Sequence, residues 1–214
     1  SSDLMLKNHY NGIHAKWKER KSEMTEKTKK LVLAALMCAL TCVATMVIQI
    51  PTPTMGYIHP GDALVLLCAF LLGPVPGALA AGIGSMLSDL FSGYLSYVPA
   101  TFIIKALTAL LAGVIACGHK KAAGINGGNF RELAMPRLII GGIVGEAFMV
   151  IGYFFFEIFL MAVTTGDGFS SASLAAGAAS AISGVPFNIV QGLFGVVVSC
   201  VLYPFLKKLP VSES

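Results

Sequence analysis

A stretch of twenty uncharged residues from Leu31 to Ile50, nearly all apolar or small, constrains this chain more than any other feature. At 1.5 Å of rise per residue, a helix of that length crosses a hydrocarbon core of about 30 Å. Further apolar runs follow, and 56% of the residues are hydrophobic while only 12% are charged. Soluble domains carry about a quarter charged residues. The chain is therefore predicted to be an integral membrane protein.

The apolar runs predict an all-α fold, a single bundle of six transmembrane helices. Three prolines between residues 51 and 60 prevent the first helix from continuing, so residues 51–61 are expected to form a loop. Glycines at positions 141 and 145 predict a close helix contact, because small residues let two backbones approach. The predicted spans are, in chain order, Leu31–Ile50, Asp62–Leu72, Gly77–Phe91, Tyr97–Cys117, Leu138–Val163 and Ala178–Leu206.

The chain divides into three parts by composition. Residues 1–23 are polar and basic, and they are interpreted as an expression remnant or as a native amphipathic segment at the membrane surface. Residues 24–208 form the predicted six-helix membrane domain, and residues 209–214 form a C-terminal tail. We expect no separate soluble domain, because the connections between the apolar runs are short.

The distribution of basic residues predicts the orientation. Fourteen of the fifteen lysines and arginines lie in the N-terminal segment, in the connection Gly118–Arg137 or at the C-terminus. Short basic segments beside membrane spans face the cytoplasm, so both termini are predicted to be cytoplasmic. The net charge of +4 is explained by this topology and does not indicate nucleic-acid binding.

The fifteenth basic residue, Lys105, lies inside the predicted fourth helix, in the stretch from Gly82 to Lys105 that also contains Asp89, Tyr94 and Tyr97. Ionisable groups within a membrane span are costly, and each is a functional-site hypothesis by default. The alternative is a salt bridge that only holds helices together. Counting rise per residue places Lys105 about 12 Å and Glu157 about 9 Å below the outer helix ends. Glu157 is thus the predicted partner of Lys105, with Asp89 next.

The polar residues at this depth predict a pocket at the outer face. Tyr57 and His59 belong to the first loop, which can fold over the pocket, while Asn188 and Gln191 lie near the middle of the last helix. Glu146 differs, because it falls in the inner half of the fifth helix. A concave, aromatic-rimmed site with a few polar groups is typical of small-molecule binding.

Motifs for nucleotide hydrolysis and for common hydrolases are absent from the sequence. It has no G-x-x-x-x-G-K-[ST], H-E-x-x-H or G-x-S-x-G pattern, so the chain cannot hydrolyse ATP by itself. Its five cysteines lack the spacing of a zinc site. No catalytic residue, metal or cofactor is predicted, and the protein is not expected to be an enzyme.

Several segments resemble one known family. An A-x-x-x-A face on the first helix, followed by GYIHPGDALVLL, LLGPVPGALAAGIGSMLSDLFSGY and YVPATFIIKALTALLAG, is similar to the substrate-binding S components of energy-coupling factor (ECF) vitamin transporters. The likeness extends over Met24 to Lys208. It implies a subunit in a prokaryotic plasma membrane that captures a vitamin or vitamin precursor from outside. It also implies partners, namely a transmembrane coupling subunit and two ATPases.

The resemblance also implies roles for particular residues. Ala35 and Ala39 correspond to the face of the first helix that packs on the coupling subunit. The pocket would be built by the first loop and helices 4 to 6. Asp89 and Tyr94 are added to it because they lie in the same stretch of sequence as Tyr97 and Lys105. The predicted substrate-binding residues are Tyr57, His59, Asp89, Tyr94, Tyr97, Lys105, Glu157 and Asn188. The pattern is closest to the subgroup linked to hydroxymethylpyrimidine, pyridoxine or pantothenate.

Two other functions are compatible with a small membrane bundle. A secondary transporter of a polar metabolite is usually longer and contains an internal repeat, which is not evident in these 214 residues. An intramembrane enzyme needs a nucleophile with a base, or metal ligands, at one depth, and only Asp, Glu and Lys are available. Both remain alternatives to the S-component interpretation.

Overall fold

The computed structural model describes residues 2–52, 57–118, 133–164 and 168–208. These ranges contain six helices and one short antiparallel ladder in which β1 (Ile50–Pro51) pairs with β2 (Tyr57–Ile58). The predicted all-α, six-helix fold is confirmed. The helices are α1 (Ser2–Val47), α2 (Asp62–Leu72), α3 (Pro74–Ser92), α4 (Val98–Cys117), α5 (Met135–Thr164) and α6 (Ser171–Leu206).

Four of the described helices are long and apolar enough to cross a membrane, where six spans were expected. They are α4, α5, α6 and the part of α1 from Lys16 to Val47. The helix α2 has only eleven residues. The helix α3 is longer but interleaves glycine, serine and Asp89 with its apolar residues. The helix α2 packs inside the bundle, with eight of its eleven residues buried. The helix α3 buries one face and leaves Val75, Leu79 and Phe91 exposed on the other.

The outer surface of the bundle is apolar. Along α6 a row of large apolar side chains is between 57% and 67% exposed, as a lipid-facing surface requires: Ile182, Val190, Leu193, Val197, Val201 and Phe205. The interior instead contains many alanines that are 0% or 1% exposed: Ala63, Ala69, Ala81, Ala109, Ala112 and Ala116. Small interior residues let the helix backbones approach closely, which is how membrane helices associate.

The contact predicted from the G-x-x-x-G spacing is present between α5 and α4. A Cβ atom at Gly141 would lie 2.6 Å from the carbonyl oxygen of Ala112, and one at Gly145 would lie 2.9 Å from the carbonyl oxygen of Thr108. No larger side chain fits at these positions without moving the helices apart. The two glycines therefore fix the separation of the helices that carry Lys105 and Glu157.

The helix α1 has two unlike faces. Met37, Thr41 and Thr45 are spaced by four residues and are buried against the bundle. Ala35 and Ala39 lie about 200° away around the helix, at 100° per residue, and both are exposed. The A-x-x-x-A face is therefore not used for packing within the described part of this chain.

Two helix boundaries differ from the prediction for local reasons. The sixth helix begins at Ser171 and not at Ala178, because the Ser170 side chain accepts a hydrogen bond from the Ser173 amide at 3.1 Å and the alanine-rich turns that follow favour helix. The first helix ends at Val47 and includes the leader up to residue 23 without a break. Residues 119–132 of the predicted basic connection and the tail 209–214 lie outside the described residues.

Candidate functional site

A tight turn between α3 and α4 places two tyrosines at one end of the bundle. Gly93 has a left-handed backbone with φ of 84°, which glycine adopts without steric cost. The Tyr94 amide then donates to the carbonyl oxygen of Asp89 at 2.9 Å, so the chain reverses within a few residues. Tyr94 and Tyr97 are left beside the first loop. We call this end, with residues 57–61 and 93–97, the loop end.

The short β-ladder returns the first loop onto the same place. Its register pairs Ile50 with Ile58 and Pro51 with Tyr57. The Tyr57 hydroxyl donates to Asp89 Oδ1 at 2.6 Å. The loop is thus tied to the last turns of α3.

A cleft that is partly open to solvent lies at the loop end. Seven of the eight predicted substrate-binding residues line it. The lining residues are Thr52, Tyr57, His59, Asp89, Tyr94, Tyr97, Thr101, Tyr153, Glu157, Asn188 and Gln191. Lys105, the eighth predicted residue, lies beneath the cleft in an ion pair.

Aromatic rings form a continuous row along the cleft. Tyr57 lies 5.4 Å from His59 and 4.6 Å from Tyr94, measured between ring centroids. Tyr94 lies 6.4 Å from Tyr97, which in turn lies 5.2 Å from Phe156. Aromatic rings at these separations stabilise one another. Their faces and edges are also suited to packing against a planar ligand.

The ion pair of Lys105 corrects the prediction based on depth. Its ammonium group pairs with Asp62 and not with Glu157 or Asp89, and both Lys105 and Asp62 are 0% exposed. The Lys105 nitrogen also lies 5.3 Å from the centroid of the Tyr153 ring, within the range of a cation–π interaction. Counting residues along a helix gives the depth of a side chain in the membrane but does not show which helix lies beside it. Asp62 is the first residue of α2 and is itself buried in the bundle, where it meets Lys105.

Gln191 connects this ion pair to the first loop. Its amide nitrogen donates to Asp62 Oδ2 at 2.6 Å, and its amide oxygen accepts from the His59 backbone amide at 2.8 Å. Both polar ends of the side chain are therefore satisfied. The ion pair, α6 and the loop form one hydrogen-bonded unit under the cleft.

The loop residues in this unit are held in their neutral forms. Burial, and secondarily the charge of Lys105, lowers the pKa of His59 to about 3, although Asp62 acts in the opposite direction. His59 Nδ1 accepts a hydrogen bond from the Gly61 amide at 3.1 Å, as a neutral imidazole can. Burial and then the neighbouring Asp89 raise the pKa of the Tyr57 hydroxyl well above its usual range. Neither group changes its charge near neutral pH.

Glu146 is a second buried carboxyl group on α5. It is 4% exposed, and neither of its oxygens has a hydrogen-bond partner among the described residues. It packs against Gly192 of α6, where a Cβ atom would lie 2.9 Å from the Glu146 Cβ. It does not line the cleft, in agreement with its predicted position nearer the inner half of the helix.

Four lining residues were not in the predicted set: Thr52, Thr101, Tyr153 and Gln191. Helical spacing could have found two of them. Thr101 lies four residues before Lys105, and Tyr153 lies four residues before Glu157, so each shares a helix face with a predicted residue. The Tyr153 hydroxyl donates to Thr101 at 3.1 Å, which joins the two faces. Nothing in the sequence marks Thr52.

A polar, aromatic cleft at one end of an apolar helix bundle, above a buried ion pair, is typical of a membrane protein that binds a small molecule. A family described as the S component of ECF-type riboflavin transporters matches residues 25–208. The chain belongs to this family.

Two further similarities agree with that membership. An uncharacterised protein encoded in the gap 3′ region of Pyrococcus woesei is 31% identical over 166 residues, which cover 77% of this chain and 98% of that protein. The solved structure of the S component of a bacterial ECF transporter superposes with a TM-score of 0.60. It is 24% identical and the match covers 84% of this chain and 96% of that one, which establishes a common fold.

The chain is therefore a membrane substrate-binding subunit of an ECF-type importer. Such subunits bind small vitamin substrates and work with a coupling subunit and ATPases. The family is one of transporters and not a class of enzymes. The narrower likeness to the hydroxymethylpyrimidine, pyridoxine or pantothenate subgroup stays a prediction.

Proposed function

We propose that the cleft at the loop end is the substrate site and that it opens to the outside of a prokaryotic plasma membrane. Its ligand would be a vitamin or vitamin precursor with a planar ring. Tyr57, His59, Tyr94 and Tyr97 would surround that ring, and Asp89, Glu157 and Asn188 would bond to its polar substituents. Lys105 would act from below by holding Asp62 in place.

The observation that carries this proposal is the row of aromatic rings beside carboxylate and amide groups in one cleft. Stacking rings and a few fixed hydrogen-bonding groups are the usual components of a site for a small heterocycle. The proposed orientation depends on the basic residues that flank the spans at the other end of the chain's helices. Lys207 and Lys208 follow α6 directly, and Lys27, Lys29 and Lys30 precede the apolar part of α1.

The exposed A-x-x-x-A face of α1 is proposed to dock on the coupling subunit. Ala35 and Ala39 are exposed, whereas the opposite face of the same helix packs against the bundle. Small side chains allow a helix of another subunit to approach closely. The two ATPases would supply the energy for transport, because the sequence of this chain has no motif for ATP hydrolysis.

Binding measurements on the detergent-purified chain test the site. Tyr94→Ala removes the ring that packs on both Tyr57 and Tyr97, and we expect affinity for the vitamin that the wild type binds to fall by about tenfold, without any need for ATP. Tyr94→Phe keeps the ring and should retain most of the affinity. Phe91→Ala is the matched control, because Phe91 is an aromatic residue on α3 that is 65% exposed and does not line the cleft.

Two results would count against the proposal. One is an affinity in Tyr94→Ala equal to that of the wild type while both proteins melt at the same temperature. The other is an equal loss of affinity in Phe91→Ala, since a general disturbance of the loop end would then explain the effect.

A further inference from the structure

Two glycines on one face of α6 bring two carboxyl residues from other helices close together. A Cβ atom at Gly192 would lie 2.9 Å from Glu146 Cβ and 3.3 Å from Glu146 Oε2. A Cβ atom at Gly195 would lie 3.0 Å from Asp62 Cβ. Residues three apart on a helix are neighbours on one face, with about 5–6 Å between their Cβ atoms. Glu146 of α5 and Asp62 of α2 therefore lie within about one helical turn of each other.

Lys105 joins these two residues, and we call the three the interior cluster. Its ammonium group pairs with Asp62, and both side chains are 0% exposed. Glu146 is 4% exposed, and neither of its oxygens has a hydrogen-bond partner among the described residues. The charged groups acting on it in the described part of the chain are Asp62 from α2 and Lys105 from α4, and α6 faces it with Gly192. With both carboxyl groups ionised, the interior cluster would hold one negative charge in excess.

The surroundings of Glu146 favour its neutral form. An unpaired carboxylate is far more costly to bury than a neutral acid, and the neighbouring Asp62 carboxylate adds repulsion. A proton on Glu146 removes both costs and provides an O–H donor. Asp62 is the acceptor beside it. The two Asp62 oxygens already accept from Lys105 and Gln191, but a carboxylate can accept about four hydrogen bonds.

We propose that Glu146 is a proton-binding site inside the bundle, and that its proton determines which carboxyl group pairs with Lys105. With the proton bound, Asp62 is the one carboxylate of the interior cluster and keeps the ammonium group. Gln191 then stays bonded to both Asp62 and the His59 amide, which anchors the first loop. Without the proton, Glu146 competes for Lys105 and this anchor is weakened. Glu146 does not line the cleft, so the proposal is independent of what the cleft binds.

Infrared spectroscopy of the detergent-purified chain tests the protonation state. At neutral pH the wild type should show the C=O stretching band of a protonated carboxyl group, and Glu146→Gln should remove it. Glu157→Gln is the matched control, because Glu157 is a buried carboxyl residue on the same helix that lines the cleft. It should leave the Glu146 band in place. Asp62→Asn should remove the band, because Lys105 then pairs with Glu146 and the proton is released to solvent.

Thermal unfolding of the same variants tests the exchange of partners. Glu146→Gln should melt close to the wild type, because glutamine has the shape of the neutral acid and can also donate to Asp62. Asp62→Asn keeps one carboxyl group for Lys105. The double variant Asp62→Asn with Glu146→Gln leaves the ammonium without any carboxylate in the interior cluster. It should melt about 10 °C below Asp62→Asn alone.

Several results would overturn the proposal. One is a wild-type spectrum without a protonated-carboxyl band that Glu146→Gln removes. Another is a band that persists in folded Asp62→Asn, since the proton would then not control the partner of Lys105. If Asp62→Asn does not fold, Lys105→Met replaces it and should retain the band, because no ammonium is left to stabilise an ionised Glu146; loss of the band there contradicts the proposal.

A sodium ion is the other cation that could neutralise Glu146. Melting temperatures in sodium chloride and in choline chloride at equal ionic strength distinguish it from a proton. We expect the wild type and Glu146→Gln to respond alike to the two salts. Stabilisation of the wild type by sodium that Glu146→Gln abolishes would show a metal-ion site and refute the proton assignment.

Discussion

Asp62 and Lys105 show at the scale of single residues how a membrane interior tolerates charge. Each is 0% exposed, and each has the other as its partner. Asp62 also accepts from Gln191, so its second oxygen is satisfied as well. A buried pair contributes little net stability over an apolar replacement, but removing one partner leaves an uncompensated charge.

We expect Lys105→Met to lower the free energy of unfolding by about 3–5 kcal/mol, because Asp62 would be left buried without its ammonium partner. Lys105→Met combined with Asp62→Asn should recover most of this loss, since an asparagine can still accept from Gln191. Thermal unfolding of the purified variants in detergent measures both effects.

The double variant Lys105→Met with Glu157→Gln is the control. It removes the partner that the depth count predicts, and it should melt no higher than Lys105→Met alone. Recovery in this variant and none with Asp62→Asn would contradict the ion pair described above.

The sequence predicted that Lys105 needs a carboxylate but not which one. The need follows from the cost of a charge at membrane depth, which is a property of the residue and its position in an apolar run. The choice of Asp62 depends on how α2 and α4 lie side by side, and that is set by packing of alanines and glycines in several helices at once. Seven of the eight predicted site residues line the cleft. They could be predicted because aromatic and charged residues are easily recognised in a sequence that is mostly apolar.

At the scale of elements, α1 is informative because one face packs inside the bundle and the other is exposed. The buried face contains Met37, Thr41 and Thr45, and the threonine hydroxyls donate to carbonyl groups one turn earlier in the same helix. The exposed face contains Ala35 and Ala39. A change on the exposed face therefore leaves the internal contacts of this chain intact.

Replacing Ala35 and Ala39 together by leucine should reduce co-purification with the coupling subunit and ATPases, because bulky side chains prevent close helix approach. Substrate affinity of the isolated chain and its melting temperature should stay near those of the wild type. Affinity pull-down from cells that express all subunits measures the first quantity, and titration calorimetry measures the second.

Ala175 and Ala179 provide the control for this prediction. They are an exposed pair of alanines with the same spacing on α6, and leucine at both positions should leave assembly unchanged. If the α1 and α6 variants assemble equally well, Ala35 and Ala39 have no role in docking.

A comparison of predicted and observed helix boundaries shows which of them can be recognised in the sequence. The start of α6 was missed by seven residues, because a serine-rich and glycine-rich segment suggests a loop until the Ser170 cap is recognised. The boundaries of α4 and α5 agree with the prediction within a few residues, since long apolar runs end sharply. The segment Asp62–Leu72 was predicted as one of six spans, but its eleven residues are too few to cross the hydrocarbon core.

At the scale of the whole molecule, the bundle combines the proposed ligand site with the proposed docking face, and its sequence has no nucleotide-binding motif. Reconstituted alone in liposomes, the chain should bind its substrate but show no ATP-dependent accumulation. With the coupling subunit and both ATPases, accumulation should require hydrolysable ATP. Uptake of the radiolabelled ligand identified by calorimetry, with and without the partners, measures this, and concentrative uptake by the chain alone would refute it.

The all-α class and the number of helices could be predicted from the sequence because hydropathy and proline positions specify them almost completely. The arrangement of the helices could not, since small residues permit close contact with many neighbours and do not select one. The family resemblance implied only that the first loop and helices 4 to 6 build the pocket, and the family match over residues 25–208 confirms membership of the S-component family.

The brevity of α2 has a consequence for biosynthesis. Eleven residues rise about 16 Å, roughly half of the hydrocarbon thickness, and eight of them are shielded from the surroundings by other helices. During translation, α2 leaves the ribosome before α3, α4 and α6 exist to shield it, and its Asp62 emerges before Lys105. A helix this short, with an aspartate that has no partner yet, is inserted poorly by the translocon. Its final position in the membrane therefore depends on segments that are made later. Membrane entry of this protein is then a property of the chain from α2 through α4 as a unit, with the ion pair completed only when the fourth helix arrives.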